Sequence, residues 1–136
     1  MRYMLLVYTR EDDLVRGSKE ELQEVKNGHI AAMVEARDKG VLQQAEPLQN
    51  TKTAITVRMQ NGKPVTTDGP FAETKEQLAG YYILDCKNLD EAVAWAAKIP
   101  TGCGGKYGCI EIRPMHEVAA SAQIDELVQS SAAHNA

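Results

Sequence analysis

The sequence contains no basic cluster, no apolar run long enough to cross a bilayer and no paired-cysteine spacing. Each absence removes a class of function. Its 15 Lys and Arg residues are outnumbered by 19 Asp and Glu, giving a net charge of −4, with both signs mixed along the chain. A protein that tracks a phosphate backbone concentrates positive charge, so nucleic-acid binding is disfavoured. The apolar run nearest the start, Tyr3 to Tyr8, is far too short for a membrane span, and Arg10, Glu11, Asp12 and Asp13 follow it at once. That pattern is not a signal peptide, and a cytoplasmic protein without a membrane partner is expected. Three cysteines, Cys86, Cys103 and Cys109, form an odd set without C-x-x-C spacing. Free thiols follow, and neither a disulfide framework nor a zinc site is indicated. Repeats and low-complexity tracts are also missing.

What is present fits one domain of 136 residues, with 43% hydrophobic and 25% charged residues. Residues 2 to 8, RYMLLVY, read as a buried strand. Residues 9 to 17 read as a polar loop. Ser18 stands three residues before Glu21, a capping box that opens a helix with an apolar stripe through Leu22, Val25, His29, Ala32, Met33 and Ala36. Gly40 suits the left-handed cap that closes it. VLQQAEPL is a short extended piece, and AITVRM (54 to 59) alternates with Ile55, Val57 and Met59 on one face. Asn61-Gly62 is a strong hairpin signal, with KPVTTD as the return strand and Pro64 placing it late or at an edge. A turn at Asp68-Gly69-Pro70-Phe71 precedes a strand from Gly80 to Cys86. Asn88 caps a second helix that stops before Pro100 and buries Ala92, Val93, Ala96 and Ile99. A strand over about 107 to 113 follows, with Ile110 and Ile112 on one face. Residues 1 to 116 form the domain, and 117 to 136 a tail that could be a frayed helix.

Strand, helix, strands, strand, helix, strand is the order of a ferredoxin-like α+β fold, βαββαβ with an inserted β-hairpin. Two helices cover one face of its sheet. Tyr81, Ile83 and the apolar side of 54 to 59 then need another cover, and homodimerisation is the economical one.

The motifs RYMLLVY, TVR at 56 to 58, TDGPFAETKEQLAGYYILD at 67 to 85, LDEAVAWAAKIP at 89 to 100 and IEIRP at 110 to 114 resemble the YCII-related domain family, and more closely its DGPF subgroup. The resemblance covers nearly everything from residue 2 to 114. It implies a dimeric α+β barrel and a helix histidine that works with an acidic residue, eleven positions before the glycine closing the first helix. His29 and Gly40 match that spacing.

His29 lies in the apolar stripe of its helix, so it faces the sheet, where burial depresses its pKa and leaves a neutral imidazole suited to general-base chemistry. It is equally the position of a core histidine bonded to a carbonyl. Gly28 beside it carries a cost of about 1 kcal/mol in a helix interior, which makes sense where something approaches the backbone closely. Asp68 satisfies the turn by itself, with Gly69 at positive φ, Pro70 fixing the exit and Phe71 plugging a gap, or else it serves as the acidic partner of His29. Glu73, Lys75 and Glu76 read as a solvated run, with Glu76 the one most enclosed by the following strand. Arg113 either binds an acid or anchors the sheet edge. GCGGKYG lacks the spacing of a phosphate-binding loop, and Trp95 is a packing residue.

Together these features suggest a homodimer whose cofactor-free cleft performs proton transfer, isomerisation or elimination on a small, polar, carboxylated metabolite. His29 is the base, Asp68 or Glu76 orients it, and Arg113 is a ligand-binding candidate. The alternative is a ligand-binding or regulatory module without catalysis, linked through the resemblance to an alternative sigma factor.

Overall fold

The apolar run at the start of the chain forms one of the two inner strands of the sheet. In the computed structural model, which describes residues 1–102, 107–117 and 121–134, β1 (Arg2–Thr9) buries Tyr3, Leu5, Val7 and Thr9 on one face. The chain continues through α1 (Glu11–Arg16), α2 (Lys19–Asp38), β2 (Leu42–Pro47), a 3-10 turn at Thr51–Thr53, β3 (Ile55–Gln60), β4 (Lys63–Asp68), β5 (Gln77–Asp85), α3 (Leu89–Ala96), β6 (Cys109–Pro114) and α4 (Ser121–His134). Strands β2, β5, β1 and β6 form one antiparallel sheet in that order, and β3 and β4 pair separately. Leaving the hairpin aside, this is the ferredoxin-like strand order, as expected.

Local chemistry places the long helix. Ser18 Oγ accepts from Glu21 N–H at 3.1 Å while the Glu21 carboxylate accepts from Ser18 N–H, so the capping box forms. At the other end Gly40 adopts φ +71°, and the N–H groups of Gly40 and Val41 return to the carbonyls of Arg37 and Ala36. This paired closure satisfies carbonyls that the helix leaves open. Ala32 and Ala36 are buried against the sheet, and the helix approaches it closely there. Asn88 caps α3 by accepting from Glu91 N–H at 3.0 Å. Asn61 and Gly62, at φ 51° and 76°, make the primed turn between β3 and β4.

Several expectations are corrected. The stretch expected as a loop from 9 to 17 contains α1. Its first turn carries Glu11, Asp12 and Asp13 and its last Arg16, a favourable match to the helix dipole. Tertiary bonds hold it: Glu11 N–H donates to Gln77 Oε1, and its carboxylate accepts from Thr51 N–H and Thr51 Oγ1. Strand β5 starts at Gln77 rather than Gly80, because its edge already pairs with Thr9 and Tyr8. On α3 the core takes Trp95, 6% exposed, while Val93 is 50% exposed. The indole lies beneath the ammonium groups of Lys98 and Lys39, at 4.8 and 5.6 Å from the ring centre. Glu35 receives both lysines, which holds its carboxyl below the usual range and ties α2 to the segment after α3. Phe71 plugs no gap in this chain; it is 79% exposed.

The close approach anticipated at Gly28 is that of Pro100, whose Cγ would stand 3.0 Å from a Cβ at residue 28. The glycine-rich loop, including Cys103, lies outside the described residues from 103 to 106. The opposite sheet face carries Met4, Leu6, Tyr81 and Ile83, and Ile55, Val57 and Met59 of the hairpin are exposed.

Candidate functional site

A cavity of about 330 Å³ opens between α2 and the β2–β5–β1 side of the sheet. Val25, His29 and Met33 come from α2, Val7 and Thr9 from β1, Ala45 from β2, Tyr82 from β5 and Leu14 from α1. The wall is overwhelmingly apolar. Its shape depends on an irregularity in the sheet: Val7 faces Gly80 while Tyr8 faces Leu78, so Ala79 is an extra residue on β5. Gly80, also in the wall, lets β2 lie close, since a Cβ there would stand 2.7 Å from the Glu46 carbonyl oxygen.

His29 reaches this cavity because the helical stripe turns it toward the sheet. Its Nδ1 lies 2.6 Å from the Tyr82 hydroxyl, and the rings run nearly parallel, 19° apart, with centroids at 6.0 Å. Tyr82 is 5% exposed and shares the inward face of β5 with Leu84. Burial lowers the His29 pKa from its ordinary 6.5 and raises that of Tyr82 to about 12. At neutral pH the pair is an uncharged imidazole and an uncharged phenol, joined by one proton.

That proton has two placements, which the heavy-atom positions leave equivalent. With Tyr82 donating to Nδ1, the imidazole carries its hydrogen on Nε2. With Nδ1–H donating to the phenol oxygen, Nε2 has a free lone pair. One tautomer can donate a proton and the other can accept one.

The remaining sequence candidates lie elsewhere. Asp68 ends β4, opposite Ile55 in the hairpin. Its glycine neighbour has the expected positive φ of 94°. The Glu76 carboxylate accepts from Gly108 N–H at 2.9 Å and from the Cys109 thiol at 3.5 Å, fastening the entry of β5 to the entry of β6. Burial and this carboxylate together push the Cys109 pKa up. Neither acid lines the cavity, and among the described residues no carboxylate hydrogen-bonds His29. Arg113 stands on the other face of the sheet, opposite Met4 and 3.7 Å from a Glu111 oxygen. It borders a shallow groove with Arg2, Leu6 and His116. Among the described residues no group of three or more His, Cys, Asp or Glu side chains could hold a metal, and no helix is long and apolar enough to cross a membrane.

Two residues of the site escaped the sequence reading, Tyr82 and Thr9. The signal for Tyr82 was parity: if Tyr81 and Ile83 face outward, Tyr82 must face the helices. Thr9, at the end of β1, is 4% exposed, and its hydroxyl has no hydrogen-bond partner among the described residues. Nothing local marks a threonine for that position.

The strand order, with α2 and α3 on one face, defines a ferredoxin-like α+β protein with a histidine-bearing cavity under its long helix. More narrowly, the chain belongs to the YCII-related domain family, which matches residues 1–119. An uncharacterised protein of Rhizobium meliloti (strain 1021) is 37% identical over 115 residues, covering 85% of this chain and 92% of that relative.

Proposed function

We propose that this YCII-related protein is a cofactor-free acid–base enzyme of isomerase or lyase type, with His29 transferring a proton to and from a small metabolite held in the cavity. The observation that carries the reading is the 2.6 Å contact between His29 Nδ1 and the Tyr82 hydroxyl in the cavity wall. Isomerisation and elimination remove a proton at one atom and deliver one at another. An imidazole kept neutral by burial, with a hydroxyl that can support either tautomer, suits both halves. We assign the orienting role to Tyr82 in place of Asp68 or Glu76, because Tyr82 is the group that meets the ring. Arg113 has no part in this cavity.

Membership of the DGPF subgroup is supported by Asp68-Gly69-Pro70-Phe71. A homodimer is supported by the exposed Ile55, Val57 and Met59, and a cytoplasmic setting by the free thiols of Cys86 and Cys109. A second reading, a ligand-binding or regulatory module without catalysis, is favoured by the lack of a carboxylate on His29 among the described residues.

An NMR titration of the imidazoles separates the two. Under the catalytic reading His29 titrates below 6.5, and its curve moves in Tyr82→Phe while those of the other histidines stay. A His29 signal that keeps one form throughout and ignores the substitution would leave the module.

A further inference from the structure

We infer that the ligand of this cavity is a small monocarboxylate with an apolar body, its anionic end held by Lys26 and its body lying between α2 and the sheet. The inference deepens the proposed function and rests on the cavity being its ligand site. It replaces the polar metabolite expected from sequence with one that is apolar except at its ends.

The walls decide the body. Val7, Val25, Met33 and Ala45 offer hydrocarbon, and burying a polar molecule among them would strip its water without replacement. At roughly 30 Å³ for each small group, 330 Å³ holds about ten non-hydrogen atoms.

Lys26 decides the end. It precedes His29 by three residues on α2, so both side chains project from one helical face, and both border the cavity. Lys26 is exposed and has no hydrogen bond or ion pair among the described residues, in contrast to Lys39 and Lys98, which share Glu35. Glu46 also borders the cavity, but it pairs with Tyr81 on the outward register of the sheet and makes no ion pair with Lys26 among the described residues. A single ammonium matches a single negative charge better than a phosphate dianion, which calls for more donors.

Thr9 supplies the second, independent observation. Its buried hydroxyl lacks a partner among the described residues, an unfavourable arrangement unless something bonds to it, and the residue is part of the cavity wall. A polar atom of the ligand, inserted past the apolar walls toward Thr9, His29 and Tyr82, would satisfy it. A molecule anchored at Lys26 by its carboxylate therefore presents its far end to the imidazole.

The test compares hexanoate with hexanol, matched in chain and different in charge, by calorimetry and by the NMR signals of His29 in the full chain. Hexanoate should bind the wild type about fivefold more tightly, the preference an exposed ion pair provides, and shift the His29 signals. Lys26→Gln should bring hexanoate down to the level of hexanol, and Lys26→Arg should keep the preference. Equal binding of the two probes, a preference unchanged in Lys26→Gln, or no binding of either overturns the inference. If hexanoate binds with the Lys26 dependence while His29 proves uncoupled from Tyr82, the ligand assignment stands and the acid–base reading falls.

Discussion

Strands β1 and β3 both place apolar side chains along one face and meet opposite fates. Leu5, in the middle of β1, is 0% exposed beneath α2 and α3, whereas Val57, in the middle of β3, is 59% exposed on a hairpin that no helix covers among the described residues. Alternation assigns side chains to faces; whether a face is buried depends on what the rest of the chain, or another chain, lays across it. The cavity belongs to the first kind of surface. It is a gap in the covered face, where Thr9, Gly80 and Tyr82 sit below a helix that does not fill the space.

Substitutions can break or sharpen that contrast. Leu5→Ala should cost about 2–5 kcal/mol in denaturant unfolding, through lost burial and the space left behind. Val57→Ala should cost little at low protein concentration. If the hairpin is the homodimer interface, wild-type thermal stability rises with protein concentration and the substitution reduces that rise, and the contrast between the strands then disappears in the assembly. Gly80→Ala should follow, at roughly 1–3 kcal/mol, because the new methyl group meets the Glu46 carbonyl at 2.7 Å; widened β2–β5 pairing would appear as faster amide exchange in Ala45 and Pro47's neighbours. Ser18→Ala removes one half of the capping box and should cost about 1 kcal/mol without affecting the cavity.

Smaller again is the pH dependence. The folded state lowers the His29 pKa, so below about 6.5 the unfolded chain binds protons more readily and stability falls with pH. Tyr82 acts at the other end: its folded pKa of about 12 exceeds the ordinary 10.0, so the unfolded chain ionises first and stability falls as pH rises from 10 toward 12. Tyr82→Phe should flatten the alkaline limb, and His29→Gln the contribution of this imidazole to the acid limb, in unfolding curves collected across that range.

The parts of the fold that were legible in the sequence are those in which a residue and its cause lie within a turn or two of chain. The inward and outward faces of β5 were equally readable, and with them the outward positions of Tyr81 and Ile83. The site was half legible. His29 was found from the helical stripe, but a carboxylate was expected beside it because the family resemblance implied an acidic partner, with Asp68 and Glu76 as the candidates. Those acids are occupied by position: Asp68 in the hairpin, Glu76 by Gly108 and Cys109. Trp95 was read as packing and is buried, whereas Val93, expected in the core, is exposed, because helical spacing alone does not reveal that the indole takes the buried place beneath Lys39 and Lys98.

By itself the sequence determined the capping box at Ser18 and Glu21, the Gly40 terminus, the Asn61-Gly62 turn and the shared face of Ile55, Val57 and Met59. Each rests on φ, ψ preferences or on hydrogen bonds between near neighbours, which any chain with those letters meets locally. Tertiary structure alone decided that Glu11 would bind Thr51 and make a helix of an acidic loop, that Pro100 would press on Gly28, and that His29 would meet a phenol 53 residues away. Those contacts exist only once the sheet has brought distant segments to one place, where the loss of water and the packing of neighbours, rather than local propensity, select the partner.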